Sequence, residues 1–143
     1  MEKKGTKRLL LVDSKGVPLA LVVTAANVPD VNTLSATLQA KIYFPIPGTE
    51  QHLCADAGFT GKRAEKVMTD ANYIPHVTPQ YRELRINVKN PNYIPRRWVV
   101  EGCHSWINRF RAMLIRFEKQ VKNYYALLQL ALAQICWRKA ILR

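Results

Sequence analysis

Acidic residues are scarce in this 143-residue sequence: ten Asp and Glu stand against 22 Lys and Arg, for a formal charge of +12 and a pI near 10.0. The shortage is uneven. Residues 1–80 hold 9 basic and 7 acidic side chains, whereas residues 81–143 hold 13 basic and only 3 acidic ones, Glu83, Glu101 and Glu118. Such an imbalance calls for a polyanionic partner, nucleic acid being the usual one, met by the second half of the chain. On charge alone an acidic protein or a membrane surface would also serve. Cysteine is sparse too. Cys54, Cys103 and Cys136 are far apart and lack any zinc-like spacing with histidine, which excludes a disulfide framework and a zinc module and fits buried thiols in a reducing cytosol. Long apolar runs are missing: Tyr124–Trp137 is interrupted by Gln129 and Gln134 and falls short of the roughly 20 residues of a membrane helix. The start, Met1-Glu-Lys-Lys-Gly5, lacks an apolar signal region, so a soluble cytoplasmic protein without a membrane partner is expected. No internal repeat or low-complexity tract is visible.

What is present suffices for a core. Hydrophobic residues make up 48% of a chain of one domain's length. Leu9–Asp13 and Val17–Thr24 read as a β-hairpin turning near Ser14–Gly16. Asp30 is placed to cap a helix over Val31–Ala40, and Pro45, Pro47 and Gly48 mark a connector. Gln51–Asp56 reads as a strand stopping at the glycine-flanked turn Ala57–Gly61, followed by a helix over Lys62–Ala71 and a short strand over Ile74–Thr78. Residues 80–95 form a polar, basic loop, and from Arg96 the pattern is helical, with a break expected near Gln120–Asn123. Strands first and long helices last predict a mixed α/β domain with a helical C-terminal layer.

Two carboxylates stand out. Set on a helix, Arg97–Phe117 gathers Cys103, Trp106, Ile107, Phe110, Met113, Leu114 and Phe117 on one side, and Glu101, Ser105, Asn108, Arg109 and Arg116 on the other. Glu101 can be a first-turn acid favoured by the helix dipole on a solvated face. Its neighbours are also donors suited to a phosphate, and a bound metal ion would explain a carboxylate alone in the most basic stretch. Asp56 ends an apolar strand at a turn, where it either caps the turn or points into a site at the sheet edge. Mg²⁺ binds through a few carboxylates plus phosphate oxygens, but a two-metal site wants three or more, and two are too few.

The run Arg96-Arg-Trp-Val-Val-Glu101-Gly-Cys-His-Ser-Trp-Ile-Asn-Arg-Phe-Arg111 closely resembles the RRWVVERTxxWLNRFR signature of bacterial insertion-sequence transposases with a DDE catalytic domain, the group typified by insertion sequence five. Cys54-Ala-Asp-Ala-Gly-Phe59 is similar to that family's ADKGY segment, and Gly16-Val-Pro-Leu-Ala-Leu-Val-Val23 with Ala26, Asn27 and Asp30 to its GxPLxLVV and GAN segments. Arg116-Phe-Glu-Lys119, Ala126-Leu-Leu128 and Ile135-Cys-Trp-Arg138 are similar to its C-terminal helices. The resemblance covers essentially the whole chain. It implies an RNase H-like fold: a mixed sheet beginning with three antiparallel strands, flanked by helices. It assigns Asp56 as the second catalytic and metal-binding Asp, Glu101 as the catalytic and metal-binding Glu, and Mg²⁺ or Mn²⁺ as cofactor. Arg97, Arg109 and Lys119 match basic positions of the family; with Ser105, Asn108 and Arg116 they form the expected DNA contacts. The implied partners are the double-stranded DNA of transposon ends and target. The implied reaction is nicking by water followed by attack of the freed 3′-OH on target DNA.

The sequence departs from the family pattern. The first catalytic Asp belongs to a strand upstream of the segment that Lys3-Lys-Gly-Thr-Lys-Arg8 resembles, and Asp13 ends a later strand of the meander, so it does not fill the vacancy. Gly102 replaces the usual Arg, and Ala57 stands where Lys is common. Residues 1–143 are therefore expected to be a single truncated catalytic domain, incomplete at its N-terminus. It would be inactive alone or complemented by an N-terminal transposase polypeptide, with a homo-oligomer as a further expected partner and an open sheet edge along Leu9–Val12. The alternative is a non-catalytic basic DNA-binding protein or a decayed remnant, and the expected location is the bacterial cytoplasm at the nucleoid.

Overall fold

The computed structural model describes residues 5–43, 46–77 and 96–141. The chain opens with an antiparallel hairpin of β1 (Thr6–Val12) and β2 (Pro18–Ala25). Asp13 builds the turn: its Oδ1 accepts from the amides of Lys15 and Val17, each at 2.8 Å, and Gly16 takes the left-handed φ of +77° that a β-carbon would strain. Asp13 is thus a turn former.

Helix α1 (Asp30–Gln39) buries Thr33, Leu34, Thr37 and Leu38. The expected Asp30 cap does not form. The helix is preceded by Pro29, and the Asp30 carboxylate instead accepts from Lys7 Nζ of β1 at 2.7 Å. Strands β3 (Gln51–Ala55) and β4 (Tyr73–Val77) are parallel neighbours, joined through a 3-10 turn at Ala57–Phe59 and helix α2 (Lys62–Asp70). The loop read over 80–95 lies outside the described residues.

Helices α3 (Arg97–Asn108), α4 (Arg111–Leu114) and α5 (Val121–Ile141) complete the C-terminal layer. From Ile115 to Gln120 the chain is non-helical, next to the break expected near Gln120–Asn123, but the helix expected over Arg97–Phe117 is corrected: it ends at Asn108, and Phe110 and Ile115 are extended. Phe110 packs on the core and Met113 is buried in it, while Leu114, Ile115 and Phe117 are exposed. Apolar periodicity continued through the break because the short helix α4 reuses half of the stripe.

Among the described residues there are two cores. Leu21, Cys103, Ile107, Met113 and the α5 residues Tyr124, Leu128, Ala131, Leu132 and Ile135 form one under the hairpin. Leu34, Leu38, Leu53, Ala64 and Met68 form the other among α1, α2 and β3. β1 serves both, with Leu10 and Val12 packed on the first and Leu11 on the second. A strand apolar on both faces is built for a sheet interior. Yet among the described residues β1 pairs only with β2, and the sheet is split into two two-stranded pieces instead of one continuous mixed sheet. Among the described residues no helix is long and apolar enough to cross a membrane.

Candidate metal and DNA site

A cleft of about 890 Å³ separates the two sheets. It is lined by β1 from Lys7 to Val12, by β3 from His52 through Asp56, and by Val99, Val100, Glu101 and His104 of α3. Period-two alternation sorts β3: Leu53 and Ala55 pack on the second core, whereas His52, Cys54 and Asp56 are exposed, and residues of both sets line the cleft. The same alternation leaves Cys54 exposed, against the expectation of a buried thiol; Cys103 is buried and Cys136 half-buried.

Asp56 Oδ1 accepts from the Ala57 amide at 2.7 Å and so caps the 3-10 turn, while the residue also lines the cleft. The turn comes close to α1: a β-carbon at Gly58 would stand 3.2 Å from Asp30 Oδ2. Glu101 is exposed on the second turn of α3 and lines the same cleft. Two carboxylates from distant parts of the chain therefore open into one space, together with Asp30, which is held by Lys7.

The expected DNA contacts divide. Ser105, Arg109 and Lys119 are exposed, and the Arg109 guanidinium lies over the Trp106 ring, 5.3 Å from its centroid. Asn108 is otherwise engaged: its Oδ1 accepts from Arg8 Nη2 at 2.9 Å, tying α3 to β1. Arg116 donates to the Thr6 hydroxyl and to the carbonyls of Glu118 and Lys119, and stacks over Tyr124, so it braces the link into α5. The Arg97 side chain lies outside the described residues.

Sequence reasoning passed over five cleft residues, Lys7, Arg8, His52, His76 and His104. Only Lys7 and His52 carried a sequence signal, through the alternations Lys7-Leu9-Leu11 on β1 and His52-Cys54-Asp56 on β3; Arg8, His76 and His104 are brought to the cleft by the fold. Burial lowers the pKa of His104, and the charge of Arg8 lowers it further. Burial followed by the neighbouring His52 ring lowers that of His76. Arg8 Nη1 is a buried donor with no partner.

Among the described residues no three His, Cys, Asp or Glu side chains converge on a point. Asp56 and Glu101 nevertheless have the right donor chemistry for a hard divalent cation, which takes one or two carboxylates plus water and phosphate oxygens. The residues present fit part of such a site.

A mixed α/β domain with a carboxylate-lined cleft and a long C-terminal helix is the framework of a DDE, RNase H-like domain. The transposase DDE domain family matches residues 2–136, and the chain belongs to that family. It is similar to a candidate transposase for insertion sequence element IS402 from Burkholderia cepacia, with 32% identity over 142 residues covering 94% of this chain. The chain spans 64% of that relative's length. These matches support the family and do not single out the group typified by insertion sequence five. No solved structure matches.

Proposed function

We propose that this chain supplies two of the metal-binding carboxylates, Asp56 and Glu101, and much of the DNA-facing surface of a transposase catalytic domain acting in DNA transposition. One observation carries the reading: the two acids, from β3 and α3, line the same cleft in a protein of net charge +12. Asp56 and Glu101 would hold Mg²⁺ or Mn²⁺, which when bound supplies Lewis acidity to the scissile phosphate. Arg109 and Lys119 hold the DNA backbone, and Ser105 adds a neutral donor near Glu101. In the first step water attacks the phosphodiester at a transposon end and the P–O3′ bond breaks, freeing a 3′-OH. In the second, that hydroxyl loses its proton, attacks a target phosphodiester and displaces the target 3′ oxygen.

A third carboxylate would have a place to go. The cleft lies between β1 and β3, two strands without a shared ladder, and Leu9, Leu10 and Leu11 line it. An extended apolar segment of an N-terminal transposase polypeptide, carrying a third carboxylate, suits that gap through β-pairing. The protein then works on chromosomal DNA in the bacterial cytoplasm.

The test is Mn²⁺ binding in the presence of duplex DNA, followed by electron paramagnetic resonance. Glu101→Gln should abolish it. Unchanged binding would overturn the role of Glu101 and favour a non-catalytic DNA-binding protein, in which Glu101→Gln merely tightens DNA by removing a negative charge.

A further inference from the structure

His52 and His76 are diagonal neighbours on the parallel ladder of β3 and β4, where His52 is in register with Ile74 and His76 with Cys54; His52 Nδ1 stands 2.8 Å from His76 Nε2. The rings lie 5.0 Å apart at their centroids and are tilted by 31°. Both line the cleft, and His52 is exposed. The pair owes nothing to the carboxylate chemistry above: it lies on the strand face bearing Asp56, four residues before it, and offers nitrogen where Asp56 and Glu101 offer oxygen.

We propose that His52 and His76 form a second metal site, for a borderline-soft divalent ion of the Zn²⁺ class. Imidazole suits Zn²⁺, Ni²⁺ and Cu²⁺, whereas Mg²⁺ demands oxygen ligands. Zinc–nitrogen bonds of about 2.0–2.1 Å at a tetrahedral angle put two donor nitrogens roughly 3.3 Å apart. To admit the ion the nitrogens must separate by about half an ångström and both rings must turn so that their lone pairs meet it. Parallel pairing holds the two rings on adjacent strands, so the donors are largely in place before the ion arrives. Since no third His, Cys, Asp or Glu converges on this point among the described residues, the remaining positions are open to water or to a phosphate oxygen in the cleft. Two protein nitrogens leave more of the coordination sphere exchangeable than either a four-ligand structural or a three-ligand catalytic zinc site does.

Isothermal titration of the whole chain with Zn²⁺ alone tests the proposal. One ion should bind per chain, His52→Ala and His76→Ala should each weaken binding by at least about tenfold, and a hundredfold excess of Mg²⁺ should leave it in place. The double variant Asp56→Asn, Glu101→Gln should bind Zn²⁺ as the unaltered chain does, which separates this site from the one proposed above. Should His76→Ala disturb the fold, His52→Ala, an exposed position, still decides. Unchanged affinity in His52→Ala, or displacement of Zn²⁺ by Mg²⁺, would overturn the proposal.

Discussion

Arg8 of β1 donates from Nη2 to Asn108 Oδ1 at the last residue of α3, a 2.9 Å hydrogen bond between residues 100 positions apart. The bond joins the hairpin to the helix that carries Glu101, and the other guanidinium nitrogen of Arg8, Nη1, is already buried without a partner. Asn108→Ala would leave a part-buried cation still less satisfied. We expect a loss of about 1–3 kcal/mol in urea unfolding, with DNA affinity changed little. A large loss of DNA affinity at unchanged stability would show instead that Asn108 contacts phosphate.

Arg109, Lys119 and Arg116 make a contrasting set. Arg109 and Lys119 are exposed cations, so replacing either by Ala should weaken DNA binding across all sequences. Each should reduce the slope of log affinity against log salt by about one. Arg116→Ala should also lower the melting temperature, because that side chain holds Thr6 and the carbonyls of Glu118 and Lys119. Circular dichroism melts alongside filter binding at several salt concentrations distinguish the two behaviours.

His104 couples stability to pH. Its pKa in the fold is lowered by burial and by Arg8 from the ordinary 6.5, so the folded state favours the neutral ring. The unfolded chain then binds more protons in acid, and stability is present above pH about 6.5 and drains away below it. Melting temperature should therefore fall between pH 7.5 and 5.5, and the fall should shrink in His104→Gln. An unaltered slope in that variant would assign the acid sensitivity elsewhere.

The thiols should react in order of exposure and ionisation. Cys54 is exposed, whereas burial pushes the Cys103 thiol up to about 11 and also raises Cys136. With a chromogenic disulfide at pH 8, Cys54 should react first and Cys103 only on unfolding. Mass spectrometry of the partly labelled protein reads the order directly.

Local elements were legible wherever one residue type dictates the backbone. Ser14–Gly16 announced the hairpin turn, and the β-rich runs at Leu9–Asp13 and Gln51–Asp56 gave strands within three residues of their observed bounds. The end of α3 was not legible, because no Gly or Pro marks Arg109–Phe110 and the apolar spacing runs on to Phe117. Asp30 misled because a cap is a local property, whereas its carboxylate is drawn to Lys7 on a strand brought near by the fold. Asp56 and Glu101 stood out in the sequence as candidate metal ligands, by position and by family resemblance, and the fold adds that they line a common cleft. For Asn108 and Arg116, expected DNA contacts, the sequence shows the side chain and hides its partners in the fold: Arg8 for Asn108, and Thr6 with the carbonyls of Glu118 and Lys119 for Arg116.

The central claim is that Asp56 and Glu101 serve one ion. A double-mutant cycle on Mn²⁺ affinity, measured by paramagnetic resonance with duplex DNA present, tests it most directly. If the carboxylates share the ion, Asp56→Asn and Glu101→Gln should each weaken binding, and the double variant should bind no worse than the weaker single one. Two independent losses that add, or a silent Asp56→Asn, would contradict the shared site.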